Sequence, residues 1–140
     1  LIKKTKKIGG GIGDGTINGR TVEIKTARQG SPKDGVGGFQ HELGEKPWVS
    51  DYMLFLDITP DKMYVTIFRN FPEEFYRSSA SNNIKCEPYF PTKSVTQRKG
   101  VGAFKLDTTI SINEKNTNEY TLVLDEKNSD FKKFVNRIII

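Results

Sequence analysis

The chain has 140 residues, 35% of them hydrophobic, 28% charged and 11% aromatic, with a formal net charge of +5 at pH 7. That is the size of one domain with a real core, and the balance reads as soluble and globular rather than disordered. No apolar run approaches the ~18 residues of a membrane span, the opening "LIKKTKKIGGG" lacks the apolar stretch of a secretory signal, and a single cysteine, Cys86, excludes an internal disulfide and fits a reducing cytoplasm.

In chain order, Ile12 to Ile17 and Thr21 to Thr26 read as strands around Asn18-Gly19, the strongest short hairpin signal. "RQGSPKDGVGG", Arg28 to Gly38, reads as a surface loop. "FQHELGEKP" predicts a short helix ended by Gly44 and Pro47. "DYMLFLDI", Asp51 to Ile58, suits a strand buried on both faces, and "KMYVTIF", Lys62 to Phe68, its hairpin partner. Pro72 followed by Glu73 and Glu74 suits a helix start, giving a short helix over Pro72 to Ser79. Phe104, Leu106, Thr108, Ile110 and Ile112 alternate with polar residues, so this segment predicts a strand with one buried face, and "YTLVL", Tyr120 to Leu124, its partner. Phe131, Phe134, Val135 and Ile138 recur at helical spacing behind Ser129-Asp130, a capping signal. The expectation is one mixed α/β (α+β) domain over residues 1–140 with a substantial sheet.

The hairpin carries the chemistry. A two-residue turn sets Ile17 against Arg20, Thr16 against Thr21, Gly15 against Val22 and Asp14 against Glu23. Side chains so opposed have Cβ atoms ~5 Å apart, and two like charges there are destabilising unless compensated. Lys25 lies on the face of Glu23, one ~6.6 Å step further along. Val22 and Ile24 point to the other face, where a core can take them. Three explanations fit the acids: a solvated hairpin screened by its lysine, a carboxylate dyad sharing a proton, or a site for a hard divalent cation such as Mg²⁺. Gly13 and Gly15, which bare the backbone beside Asp14, favour the cation.

Asp14 followed by Glu23-Ile24-Lys25 on the second strand of a hairpin resembles the PD-(D/E)xK nuclease superfamily. The downstream order of loop, "FQHELGE" and paired strands is similar too, so the resemblance covers about residues 1 to 70. It implies a restriction-endonuclease-like core, a central mixed β-sheet flanked by helices, with the strands and helix of residues 101–140 outside the motif-bearing part. It also implies that Asp14, Glu23 and the Ile24 carbonyl ligate Mg²⁺, for which Mn²⁺ can substitute, and that Lys25 orients or activates the attacking water. The implied activity is a restriction- or phage-type endonuclease on double-stranded DNA, working as a homodimer to cut both strands. Two departures stand out. Gly13 occupies the place of the motif's proline, and the family's first helix is not evident before Leu1, leaving room for an element upstream.

Other signals are weaker. Either a solvated surface or contact with a polyanion accounts for Lys6 and Lys7, for Arg28, and for Lys93, Arg98 and Lys99. Gln40 and His41 are further candidates for phosphate contact. "GGGIGDG" matches neither the dinucleotide fingerprint nor the phosphate-binding loop, and one His with one Cys makes structural zinc improbable. Trp48, Tyr52 and Phe55 read as core. Beside the endonuclease stand two alternatives, a structure-selective junction nuclease and a nucleic-acid-binding or assembly module that does not cleave.

Overall fold

The computed structural model of the protein describes residues 3–4, 13–30, 39–79, 84–86, 90–97, 103–108, 117–124 and 130–140. Along the chain these form β1 (Lys3–Lys4), β2 (Gly15–Ile17), β3 (Arg20–Arg28) and β4 (Gln40–Gly44). A 3₁₀ turn (Pro47–Val49) leads into β5 (Tyr52–Ile58), β6 (Met63–Arg69) and α1 (Glu73–Ser79). Then come β7 (Ile84–Cys86), β8 (Phe90–Gln97), β9 (Phe104–Thr108), β10 (Thr121–Leu124) and α2 (Phe131–Ile138). The architecture is mixed α+β with strands predominating. No described helix is long and apolar enough to cross a membrane.

Two sheets form the body. One has the order β1-β2-β3-β5-β6-β10 and the other β4-β9-β8-β7. Among the described residues every pairing is antiparallel except that of β3 with β5, which runs parallel from Val22 against Tyr52 to Arg28 against Ile58. Parallel neighbours need a long crossover. Here the crossover carries β4 and the 3₁₀ turn and delivers β4 to the second sheet.

That explains why the helix expected over "FQHELGE" is instead β4. Phe39, His41 and Leu43 are buried while Gln40, Glu42 and Gly44 are exposed, the period-two pattern of a strand. Gly44 then turns the chain at φ 81°. The expected pairing of "YTLVL" with the strand beginning at Phe104 is also corrected. β10 lies against β6, where the Thr121 and Thr66 hydroxyls meet at 2.7 Å, and β9 lies between β4 and β8. The β6 partner matters because Tyr64 to Phe68 are all buried and an open edge there would leave backbone groups unpaired. Ile110 and Ile112 fall outside the described residues. The two-stranded hairpin of β5 and β6, α1 and α2 follow the sequence expectation. Asp130 caps α2 by accepting from the Lys133 N–H.

The six-stranded sheet is covered on both sides. Val22, Tyr52, Leu54, Val65 and Ile67 pack under Phe134, Val135 and Ile139 of the α2 segment. On the other face Met53, Phe55 and Phe68 meet Leu43, Val95, Phe104 and Leu106 of the second sheet, with Tyr76 of α1. Glu23, Lys25 and Ala27, paired with Met53, Phe55 and Asp57, belong to this second face. A buried histidine–carboxylate hydrogen bond crosses between the sheets there. His41 Nε2 of β4 lies 2.6 Å from Asp57 Oδ1 of β5, both side chains 0% exposed, and the imidazole stands edge-on to Phe55.

Removing one member of such a buried pair leaves the other uncompensated. His41→Ala is expected to cost about 3–5 kcal/mol. A double variant, His41→Leu with Asp57→Leu, should lose much less, because two apolar groups leave no stranded charge. Urea unfolding of both checks this, and a double variant no better than His41→Ala would refute the pairing argument.

Candidate functional site

The turn that builds the site is well determined. Asn18 and Gly19 both have positive φ, 51° and 76°, as a type I′ hairpin requires. The Asn18 amide donates to Asn136 Oδ1 and to the Ile139 carbonyl, each at 3.1 Å, tying the turn to α2. From there β2 and β3 pair in the expected register as far as Gly15 against Val22.

Beyond Gly15 the strand bends. Gly13 has φ 95°, and a Cβ on it would sit 2.8 Å from the Val22 carbonyl oxygen. Proline, fixed near φ −65°, cannot take that conformation, so the backbone at position 13 excludes it. The Asp14 N–H donates to the Val22 oxygen at 2.8 Å, and the Asp14 Oδ2 accepts from the Ile24 N–H at 2.8 Å. The carboxylate therefore takes a ladder position on β3 instead of projecting beside Glu23 as a simple cross-strand partner. An extended residue aims its N–H and C=O to the same side. The Ile24 carbonyl accordingly faces the edge where Asp14 lies.

Glu23 projects from the face turned towards the second sheet and bonds Lys25 Nζ at 2.9 Å, each side chain 26% exposed. Each acid thus has its own donor, the Ile24 N–H for Asp14 and the ammonium for Glu23, and they share no hydrogen bond. The arrangement does not form a proton-sharing dyad. Partly exposed ion pairs contribute only ~0.2–1 kcal/mol, so the Lys25–Glu23 contact is a weak competitor for any ligand that needs either group.

Glu23 also lines a small open cavity of about 90 Å³ with Gly13, Leu43, Lys46, Pro47 and Val49. The wall of this cavity is anchored by Asn70. Its amide donates to the carbonyls of Pro47 and Ser50 at 2.7 and 2.8 Å, while its Oδ1 accepts from the Tyr76 hydroxyl. Lys46, exposed at this cavity, was not visible as a site residue in the sequence. Only the crossover that returns β4 beside β3 brings it there. Among the described residues no group of three or more His, Cys, Asp or Glu could hold a metal. A hard cation here would draw on two carboxylates and complete its shell with the Ile24 carbonyl, water and substrate oxygens, a set that Mg²⁺ accepts.

The remaining sequence candidates are scattered. Arg28 is exposed at the end of β3 and Gln40 is exposed on β4. His41 is buried against Asp57 and cannot reach a phosphate at the surface, so its proposed contact role is withdrawn. Lys93 lies on β8, and Lys6, Lys7, Arg98 and Lys99 lie outside the described residues. No family model matches the chain, and neither a curated protein nor a solved structure gives a match.

Gly13→Ala and Gly19→Ala provide a comparison. Both replace a positive-φ glycine, at roughly 1–3 kcal/mol of strain, but a Cβ at Gly19 meets nothing within 4 Å. Gly13→Ala is expected to be the more destabilising in thermal or urea unfolding. Equal losses would show that the close approach to Val22 is unimportant.

Proposed function

We propose that the protein is a Mg²⁺-dependent endonuclease acting on double-stranded DNA, of restriction or phage type. One observation carries this reading: the Asp14 carboxylate is seated on the Ile24 peptide, between Glu23 and Lys25 in sequence, at a bend that only glycine permits. The net charge of +5 supports a polyanionic ligand.

In this reading Asp14, Glu23 and the Ile24 carbonyl hold the cation, which when bound neutralises charge on the scissile phosphate. Asp14 is fixed by its backbone hydrogen bond, so it is pre-oriented. Glu23 must exchange Lys25 for the cation, and the partial exposure of both side chains makes that exchange inexpensive. Lys25, once released, is placed to orient the attacking water or to hold a phosphate oxygen as a point charge. Lys46 stands on the other wall of the Glu23 cavity, where a second phosphate contact would add binding without chemistry. Cutting both strands calls for two such sites and hence a symmetric dimer.

The Glu23–Lys25 ion pair also favours a second reading, a binding module in which acid and base neutralise each other and no cleavage occurs. Supercoiled plasmid incubated with protein and Mg²⁺ separates the two. The endonuclease reading expects nicked or linear product with wild type and a loss of about 10²-fold or more with Lys25→Ala. Lys46→Ala should chiefly weaken DNA binding. No cleavage of plasmid or junction substrates by wild type would leave the binding module, and equal cleavage by Lys25→Ala would remove Lys25 from the mechanism.

A further inference from the structure

The face of the six-stranded sheet opposite Glu23 and Lys25 has a different character. At the end where β5 begins and β6 finishes, two cavities of about 310 and 200 Å³ share Tyr52 and Arg69 as walls. Arg137 of α2 and Tyr120 line the larger one, and Arg20, the first residue of β3, lines the smaller. Tyr52 packs with Val22 and Leu54 beneath α2, whereas Glu23 and Lys25 align with Met53 and Phe55 on the reverse side. The cleft is therefore separate from the acid site.

Each cavity is lined by two arginines, Arg69 and Arg137 in the larger and Arg20 and Arg69 in the smaller, and Arg20 and Arg137 are each tethered by a main-chain oxygen. Arg20 Nε donates to the Ile140 carbonyl at 3.2 Å, and Arg137 Nη2 donates to the Glu119 carbonyl. Arg137 also lies over the Phe134 ring. A guanidinium has five N–H donors in a rigid fork, so each anchor uses a minority of them, and the neutral Glu119 carbonyl leaves the Arg137 charge uncompensated. Arg69 is exposed at the junction of the two cavities, and among the described residues it has no ion-pair partner. Two acids border the cleft. Asp51 Oδ2 is engaged by the Thr21 N–H and hydroxyl, both at 3.0 Å, and Glu119 is exposed. In the larger cavity Arg69 and Arg137 stand against Glu119 alone, which leaves an excess of positive charge.

We propose that this cleft is a binding site for a phosphate ester. Two arginine forks on one cavity, Arg69 and Arg137, suit an oxyanion with oxygens in more than one plane, since each fork can engage two of them. A carboxylate offers only two coplanar oxygens. The larger cavity falls at the lower end of the ~300–1,000 Å³ range of small-ligand sites, and Tyr52 and Tyr120 provide an aromatic wall beside the charge. The shared chemistry is a phosphomonoester, carried either by a free mononucleotide or by the end of a nucleic-acid strand. This inference does not depend on the endonuclease reading.

Isothermal titration in EDTA, which keeps divalent cations from the acid site, tests it. The probes are AMP and a short oligonucleotide with or without a 5′-phosphate. Binding of AMP points to the free nucleotide. Binding of the oligonucleotide only when phosphorylated points to the strand end. Either outcome supports the site if Arg69→Gln weakens it about tenfold or more, as expected for loss of a charge-assisted contact, while Arg77→Gln, an exposed arginine of α1 on the reverse side of the sheet, leaves it unchanged. Circular dichroism of Arg69→Gln should match wild type, because Arg69 is exposed. Failure of every probe to bind overturns the proposal, as does equal binding by the correctly folded Arg69→Gln protein. Equal weakening by Arg69→Gln and Arg77→Gln, the mark of diffuse charge attraction, overturns it too.

Discussion

The parallel pairing of β3 with β5 is the constraint from which the rest of the molecule follows. Two adjacent strands running the same way cannot be joined by a tight turn. The chain must leave the sheet after Arg28 and return at Tyr52, and on the way it lays down β4 and the 3₁₀ turn. β4 then seeds a second sheet that covers the face bearing Met53, Phe55 and Phe68. The His41–Asp57 pair fixes the two layers where they meet. Its 2.6 Å geometry fits a specific registration of β4 over β5 better than apolar contacts alone would, since a slip of one residue would bury either group unpaired.

The same pairing determines what the hairpin can display. Because β3 is held by β5 along its length, its outer edge is left to β2, and β2 ends at Gly15. The Ile24 N–H would lack a ladder acceptor there, and Asp14 supplies one with its carboxylate. The acid is thus retained by the fold's own hydrogen-bond accounting as well as by any chemistry it performs. Glu23 and Lys25, one step either side of Ile24, project from the layer interface near its rim, which keeps both partly exposed and sets Glu23 in one cavity with Lys46.

Much of this was legible in the sequence, and what was not has identifiable causes. Asn18-Gly19 announced its turn because both positions need positive φ, a purely local demand. The strands over residues 52–58 and 63–69 announced themselves by continuous apolar runs. "FQHELGE" misled because a short segment with Glu and Leu has helical composition, while its burial pattern, with His41 and Leu43 inward, depends on a sheet formed by residues about sixty positions away. The partner of β10 was equally hidden, since β6 and β9 are both strands that need a covered edge and only the packed layers choose between them. At the candidate site, Asp14, Glu23 and Lys25 were singled out in the sequence by their spacing on the hairpin. Lys46 and the arginines of the opposite face were not, because Arg20, Arg69 and Arg137 approach one another only after the sheet and α2 are assembled.

The account rests on two acids, one held by the backbone and one lightly paired with lysine, acting together on a single divalent cation. The most direct measurement is an anomalous-difference map from crystals soaked in Mn²⁺. The account predicts one peak bounded by the Asp14 and Glu23 carboxylates and the Ile24 carbonyl, with Lys25 moved off Glu23. A map without density there, and with the Lys25–Glu23 contact intact, would contradict it.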